Sequence, residues 1–246
     1  MVRAIDAKTE AYIRDRAEFL AFLKEWEDAL PSISFAEVIH EAGGPDNVAV
    51  VCVDVVVGFC GVGRLASPRV GCIVPPIVNL FKLAYSLGIR NFVLPQDAHP
   101  ADSLEFEAYG PHCIEGSEEA ETVPELKQLP FADRFAIMPK QSLNPGIDTK
   151  FPEWLDAHPG IKRFIVVGDC TDLCIYQIAM YLKLRANQFR LDYEVMVPKG
   201  CVDTFDTPLE KARELGILPH DADLLHPLFL YHMALNGIRV VRALVG

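Results

Sequence analysis

The sequence predicts an α/β protein: a three-layer α-β-α domain around a mainly parallel, Rossmann-like sheet. Two observations carry this. Apolar strand-like runs alternate with helical stretches along most of the chain, the pattern of a parallel sheet covered by helices on both faces. The run VAVVCVDVVV, residues 48–57, is β-branched and almost uninterrupted, as a strand buried on both faces must be. A length of 246 residues at 50% hydrophobic composition is ample for such a core. No internal repeat, low-complexity tract or long linker interrupts the pattern.

In chain order, residues 1–45 read as an N-terminal helical arm. In AYIRDRAEFLAFLKEWEDAL, Ile13, Ala17, Leu20 and Leu23 recur at helical spacing before Pro31 stops the helix. EAGGPDN then forms a loop, and residues 46–246 make up a single domain. Its further strands are NFVLP, RFAIMP, RFIVVG, YEVMVP and IRVVRAL; its helices include IVNLFKLAYSLG, CIYQIAMYLKLRANQ and LLHPLFLYHMALNG.

The charge balance narrows the partners. With 23 basic and 34 acidic residues the net charge is −11, which repels nucleic acid and anionic membrane surfaces, and no Lys or Arg cluster offsets it. No apolar run is long enough to span a bilayer. The opening MVRAIDAKTEAYIRDRAEF has no secretory leader, and seven irregularly spaced cysteines suit free thiols in a reducing compartment. A cytoplasmic protein acting on a small molecule, without nucleic-acid or membrane partners, is expected.

In open α/β sheets the binding crevice lies beyond the carboxyl ends of the strands. Four strand ends carry chemistry: Asp54 after the first run, Asp97 and His99 after NFVLP, Lys140 after RFAIMP, and GDCTDLC after RFIVVG. If a helix starts at about Thr171 or Asp172, Cys174 sits in its first turn, where free N–H groups and the helix dipole lower a thiol pKa and can hold an oxyanion. Cys170 lies before that turn. A thiol nucleophile needs a proton acceptor. No histidine stands at a neighbouring strand end, so Asp54 can fill that role, with Lys140 stabilising negative charge. Each residue alone has a plainer reading: cysteines as small buried apolar groups, Asp54 as a turn cap, Lys140 as a solvated loop residue.

A second cluster lies in QDAHPADSLEFEAYGPHCIEGS, residues 96–117. Asp97 and His99, two apart in extended chain, can face one point to which His112 returns, a donor set suited to Zn, Fe or Mn. Glu105 or Glu107 would complete it. As plain loop residues the same groups would merely turn the chain beside Pro100 and Pro111.

Taken in order, these motifs resemble the isochorismatase-like cysteine hydrolase superfamily, and within it the nicotinamidase branch, over roughly residues 46–205. Asp54 and Phe59 match the family's Asp followed five residues later by Phe. QDAHPADSLEF and PHCIEGS are similar to the nicotinamidase metal segments Gln-Asp-Trp-His-Pro and Pro-His-Cys-Val-Gln-Gly-Thr. Lys140 falls at the family lysine, and GDCTDLCI matches Gly-x-x-Thr-Asp-x-Cys-Val. The resemblance implies Cys174 as nucleophile, Asp54 as general base and acid, and Lys140 as the third catalytic member. It also implies Asp97, His99 and His112 as metal ligands, a cis peptide between Asp169 and Cys170, and an oxyanion hole from the N–H groups of Cys170 and Cys174. The expected reaction is hydrolysis of nicotinamide to nicotinate and ammonia through a Cys174 thioester, by a homo-oligomer holding a divalent transition metal, zinc first.

Two positions depart from the branch. Ala98 replaces the tryptophan usual between the metal Asp and His, and Val56 replaces a frequent Gln. Phe59, Phe106 or Tyr109 would then supply the aromatic wall around the substrate. The loss at Ala98 keeps open a family amidase acting on a carbamoyl or ureido compound; a nitrilase-type enzyme or an inactive metal-binding scaffold uses fewer of these residues. GVGRLA, residues 61–66, fits a Gly-x-Gly-x-x-Ala pattern but runs into Pro68 instead of opening a helix, so no nucleotide cofactor is expected. His220, His226 and His232 are spaced six apart, do not share a helical face, and read as ordinary residues.

Overall fold

A computed structural model describes residues 6–246. They divide into two compact units, one ending at Leu30 and the other spanning Pro31–Gly246. The first holds two helices, Ala7–Arg14 and Ala17–Asp28, where the sequence suggested one. The break comes at Asp15 and Arg16, whose N–H groups turn back onto Ala11 and Ile13; Asp is a poor helix-interior residue. Pro31 is where the second unit begins, ahead of the boundary at residue 45 drawn from the sequence. The reason is burial: Phe35, Val38 and Ala42 of helix Phe35–Ala42 belong to the main core.

The strands are β1 (Ser32–Ser34), β2 (Val48–Val53), β3 (Asn91–Asp97), β4 (Phe135–Lys140), β5 (Arg163–Asp169), β6 (Glu194–Pro198), β7 (Val202–Asp203), β8 (Arg239–Val241) and β9 (Ala243–Val245). The main sheet runs β4-β3-β2-β5-β6-β8, with β7 continuing beside the end of β5, and all its pairings are parallel. Every residue of β2 is buried, because alternate side chains enter cores on opposite faces. Val48, Val50 and Cys52 meet Phe35, Ile77 and Phe81 on one side. On the other face lies helix Cys174–Phe189, with Ile175, Ile178 and Leu182 buried, packed on β5 and β6. The last apolar run is split: Arg242 donates its N–H to Pro31 O at 2.8 Å, and beyond it β9 pairs with β1 in a separate two-stranded sheet. No described helix is long and apolar enough to cross a membrane.

The order places β3, β2 and β5 side by side, so their carboxyl ends converge. Gly168, at φ +117°, makes that convergence tight: a Cβ there would sit 2.0 Å from Val53 O. Only glycine allows β5 to pass so close to the end of β2.

Candidate active site

Asp54 follows β2 in a left-handed conformation, φ +57°, uncommon for a residue with a side chain and tolerated best by Asp and Asn. Its N–H donates to Pro95 O, and its Oδ1 accepts the Asp97 N–H at 2.8 Å, so the carboxylate is fixed across to β3. Asp54 Oδ2 lies 2.8 Å from Lys140 Nζ. The same ammonium donates to Asp97 Oδ1 at 2.5 Å and to Cys174 Sγ at 3.5 Å. Asp54, Asp97, Lys140 and Cys174 are all buried, Lys140 to 1% exposure. One cation thus bridges two carboxylates and a thiol, drawn from four strand ends.

Burial sets the protonation states. It raises the Asp54 carboxyl to about 6, with nearby Asp97 adding to the rise and Lys140 and the Cys174 thiol opposing it. Burial would strip the proton from Lys140, but Asp54 and Asp97 outweigh it and hold the ammonium well above its ordinary value. The Cys174 thiol is pushed well above its ordinary value by burial first and then by Asp54 and Asp97, against the pull of Lys140. This reverses the expectation of a thiol acidified at a helix start. Cys174 is the first residue of helix Cys174–Phe189, later than the start expected at Thr171 or Asp172. The field of a helix terminus, typically 0.3–1 kcal/mol, is smaller than the burial of a thiolate beside two carboxylates.

The Asp169–Cys170 peptide is cis. Leu173 and Ile175 donate to Cys170 O, which closes the turn in front of the helix. An N–H at the first helical position has no intrahelical acceptor.

Asp97, His99, Glu105 and His112 bring one ligand atom each within 4.8 Å of one another. His99 N–H donates to Cys113 O and His99 O accepts from Glu115, so a parallel bridge ties the two halves of the cluster. His112 Nδ1 is 2.8 Å from Gly110 O, which fixes its proton there and leaves Nε2 as the free lone pair, 3.7 Å from Asp97 Oδ2. His99 is fully buried and its Nε2, 3.4 Å from Asp97 Oδ2, makes no hydrogen bond. Two imidazole nitrogens and a carboxylate oxygen directed at one another, one of them a buried orphan, fit a divalent transition metal. Glu107 is exposed and takes no part; of the two carboxylates expected to complete the set, Glu105 is the one in place.

Three aromatic rings surround His112: Phe59 at 5.7 Å, Phe106 at 5.5 Å and Tyr109 at 6.4 Å between centroids. The Tyr109 phenol is raised by burial and then by Glu105, Cys174, Asp172 and Cys170. Ala98, half-buried, donates its N–H to Lys140 O. Sequence reasoning missed the layer behind the nucleophile. Thr171 and Asp172 are held by His226, His220 and Thr204, residues 32 to 55 positions away for which no periodicity gives a signal.

Residues 48–215 match the family model described as the isochorismatase domain. The chain belongs to the isochorismatase family. It is similar to nicotinamidase 1 of Arabidopsis thaliana, 34% identical over 211 residues covering 79% of this chain and 85% of that protein. Solved structures share the fold at lower identity. The nicotinamidase of Bacillus subtilis is 21% identical, with a TM-score of 0.63 over 79% of this chain and 99% of that one. The pyrazinamidase of Pyrococcus horikoshii in complex with zinc is 21% identical, with a TM-score of 0.60 over 80% and 99%. The N-carbamoylsarcosine amidase of Thermoplasma acidophilum, also 21% identical, gives 0.60 over 80% and 96%.

Proposed function

We propose that this isochorismatase-family amide hydrolase converts nicotinamide, or a closely similar heteroaromatic carboxamide, to the carboxylate and ammonia through a Cys174 thioester. The observation that carries the reading is the Lys140 ammonium, in contact with Asp54, Asp97 and Cys174 at once. In the resting site the thiol is protonated, so a base is required, and Asp54, at about 6, is a carboxylate at neutral pH.

Asp54 takes the Cys174 proton as sulfur attacks the carbonyl carbon. The N–H groups of Cys170 and Cys174 receive the developing oxyanion, and Lys140 balances the negative charge without giving up its proton. Asp54 then hands its proton to the departing nitrogen, and ammonia leaves. Water, deprotonated by Asp54, attacks the thioester, and the sulfur departs and recovers a proton. Asp97, His99, His112 and Glu105 would hold a divalent metal, zinc first with iron or manganese as alternatives. When bound, it supplies a Lewis-acid anchor for a ring nitrogen of the substrate. Phe59, Phe106 and Tyr109 form the aromatic wall in place of the tryptophan that Ala98 lacks. The exposed Tyr12, Ile13 and Leu20 of the arm support assembly as a homo-oligomer, in keeping with a cytoplasmic salvage enzyme.

A second substrate class, a carbamoyl or ureido amide, is favoured by one observation, the small side chain at Ala98. Ammonia release from a panel of both classes, with and without chelator, decides between them. In the same assay Cys174→Ala is expected to abolish turnover, whereas Cys170→Ala retains it because only the Cys170 backbone is used. Equal loss in the two folded variants would refute the assignment of the nucleophile.

A further inference from the structure

The turn that carries the nucleophile, Cys170 to Leu173, is gripped from behind by the C-terminal part of the chain. Thr204 Oγ1 donates to Asp172 Oδ1 at 2.6 Å, and His220 Nε2 lies 2.7 Å from Asp172 Oδ2, so each carboxylate oxygen has its own donor. His220 Nδ1 is 2.8 Å from Phe205 O. Both partners of this ring are acceptors only, so both nitrogens must carry protons and the ring is an imidazolium paired with a carboxylate. The ring also stacks on Phe205 at 3.9 Å between centroids. Beside it, Thr171 Oγ1 meets His226 Nδ1 at 2.8 Å, and the Thr171 N–H donates to Asp203 O at 3.0 Å. Asp203 is fixed in turn by Arg69 at 3.1 Å.

These groups stand behind the loop, on Asp172 and Thr171, with Thr204 and the Phe205 backbone also against the Cys170 thiol. Thr204 is fully buried, and Asp172 and His226 are nearly so. Such a network costs conformational freedom, and its return is geometric precision. Two backbone N–H groups and one sulfur must hold their places to within a few tenths of an ångström for an oxyanion site to act, and two residues of the turn that joins them are clamped. His220 lies beyond the 48–215 match, and so does His226.

We propose that Thr204 and His220 are positioning residues for the nucleophile: by holding both carboxylate oxygens of Asp172 they set the turn in which the Cys170 and Cys174 N–H groups and the Cys174 sulfur meet the substrate carbonyl. This rests on the reading of Cys174 as nucleophile. Breaking either contact lets the turn relax, so the transition state loses stabilisation while the aromatic and metal-side contacts that bind substrate persist. Turnover should therefore fall more than affinity.

The test compares Thr204→Val, Thr204→Ser, His220→Ala and Cys174→Ala in the full-length protein. Ammonia release from nicotinamide and hydrogen–deuterium exchange of the Cys170–Ile175 amides are measured on each. Thr204→Val and His220→Ala are expected to lower kcat about tenfold or more with KM within about twofold, and to speed exchange in that segment. Thr204→Ser, which keeps the hydroxyl, is expected to restore both. Wild-type kcat and wild-type exchange in Thr204→Val and His220→Ala, with Cys174→Ala inactive, would overturn the proposal and leave the nucleophile intact. Equal losses in Thr204→Val and Thr204→Ser would also overturn it, since volume and not the hydrogen bond would then be at issue. Activity in Cys174→Ala, or no turnover of nicotinamide by the wild type, would strike the underlying reading instead, and the exchange comparison alone would then decide whether the clamp orders the turn.

Discussion

Acidification should silence the enzyme through one carboxyl group. Asp54 is held at about 6, and the distance from its ordinary value of 3.8 corresponds to roughly 3 kcal/mol of environment favouring the protonated form. The base form is needed for attack, so kcat/KM should rise with pH through about 6 and level off above it. At pH 5 only about one molecule in eleven has Asp54 ionised, a loss of roughly tenfold for each further pH unit. The assay is ammonia release at low substrate concentration from pH 5 to 8, with folding followed in parallel by circular dichroism. The cation adjacent to Asp54 gives a sharper form of the test. Lys140 holds the carboxyl down, so in Lys140→Ala the acid limb of the residual activity should move to higher pH. A limb near 4 in the wild type, or a limb that moves down in Lys140→Ala, would refute the assignment of Asp54 as the base. In Asp54→Asn the limb should vanish along with at least about a hundredfold of turnover.

Other outcomes follow from the same geometry. Lys140→Ala leaves two buried carboxylates without their cation and should cost about 3–5 kcal/mol in chemical denaturation, with at least a hundredfold loss of turnover on the order of other lost charge stabilisers; near-normal stability would mean that the ammonium is not the bridge. Gly168→Ala forces a Cβ against Val53 O and should destabilise the fold by on the order of 3 kcal/mol or more, read as a lower denaturation midpoint. Purified protein should contain close to one divalent transition ion per chain by elemental analysis, and His99→Ala should lose it. Chelation should raise KM for nicotinamide more than it lowers kcat, and Ala98→Trp should tighten nicotinamide binding; no metal and no gain from Ala98→Trp would move the carbamoyl class to first place.

The sheet was legible because its strands are short, β-branched runs ending in polar residues, and a parallel α/β topology puts those ends on one edge. That logic is enough to bring Asp54, Asp97, Lys140 and Cys174 to one place without any distance. It fails where neighbours decide. The thiol of Cys174 looks acidified when only its helix is considered, and is held protonated once Asp54, Asp97 and its burial are counted. Glu105 and Glu107 are equivalent on paper, and only the short helical turn at Phe106–Tyr109 separates a half-buried candidate ligand from an exposed carboxylate. His220 has no motif or period to mark it. Its partner Asp172 lies 48 positions earlier, and nothing local connects them. The apolar run at the C-terminus reads as one strand because a single Arg242 does not disturb its composition, yet its backbone turns to Pro31 and starts a second sheet.

The proposed mechanism requires Cys174 to form a covalent acyl intermediate under the control of Asp54 and Lys140. The direct measurement is rapid acid quenching of the enzyme during turnover of nicotinamide, followed by peptide mass spectrometry of all seven cysteines. The expected result is a nicotinoyl mass increment confined to the peptide containing Cys174, located at that residue by fragmentation, and accumulating in a variant whose thioester hydrolysis is slowed. Turnover with no adduct at Cys174 in either protein, or an adduct on Cys170 or another thiol that persists in Cys174→Ala, would contradict it.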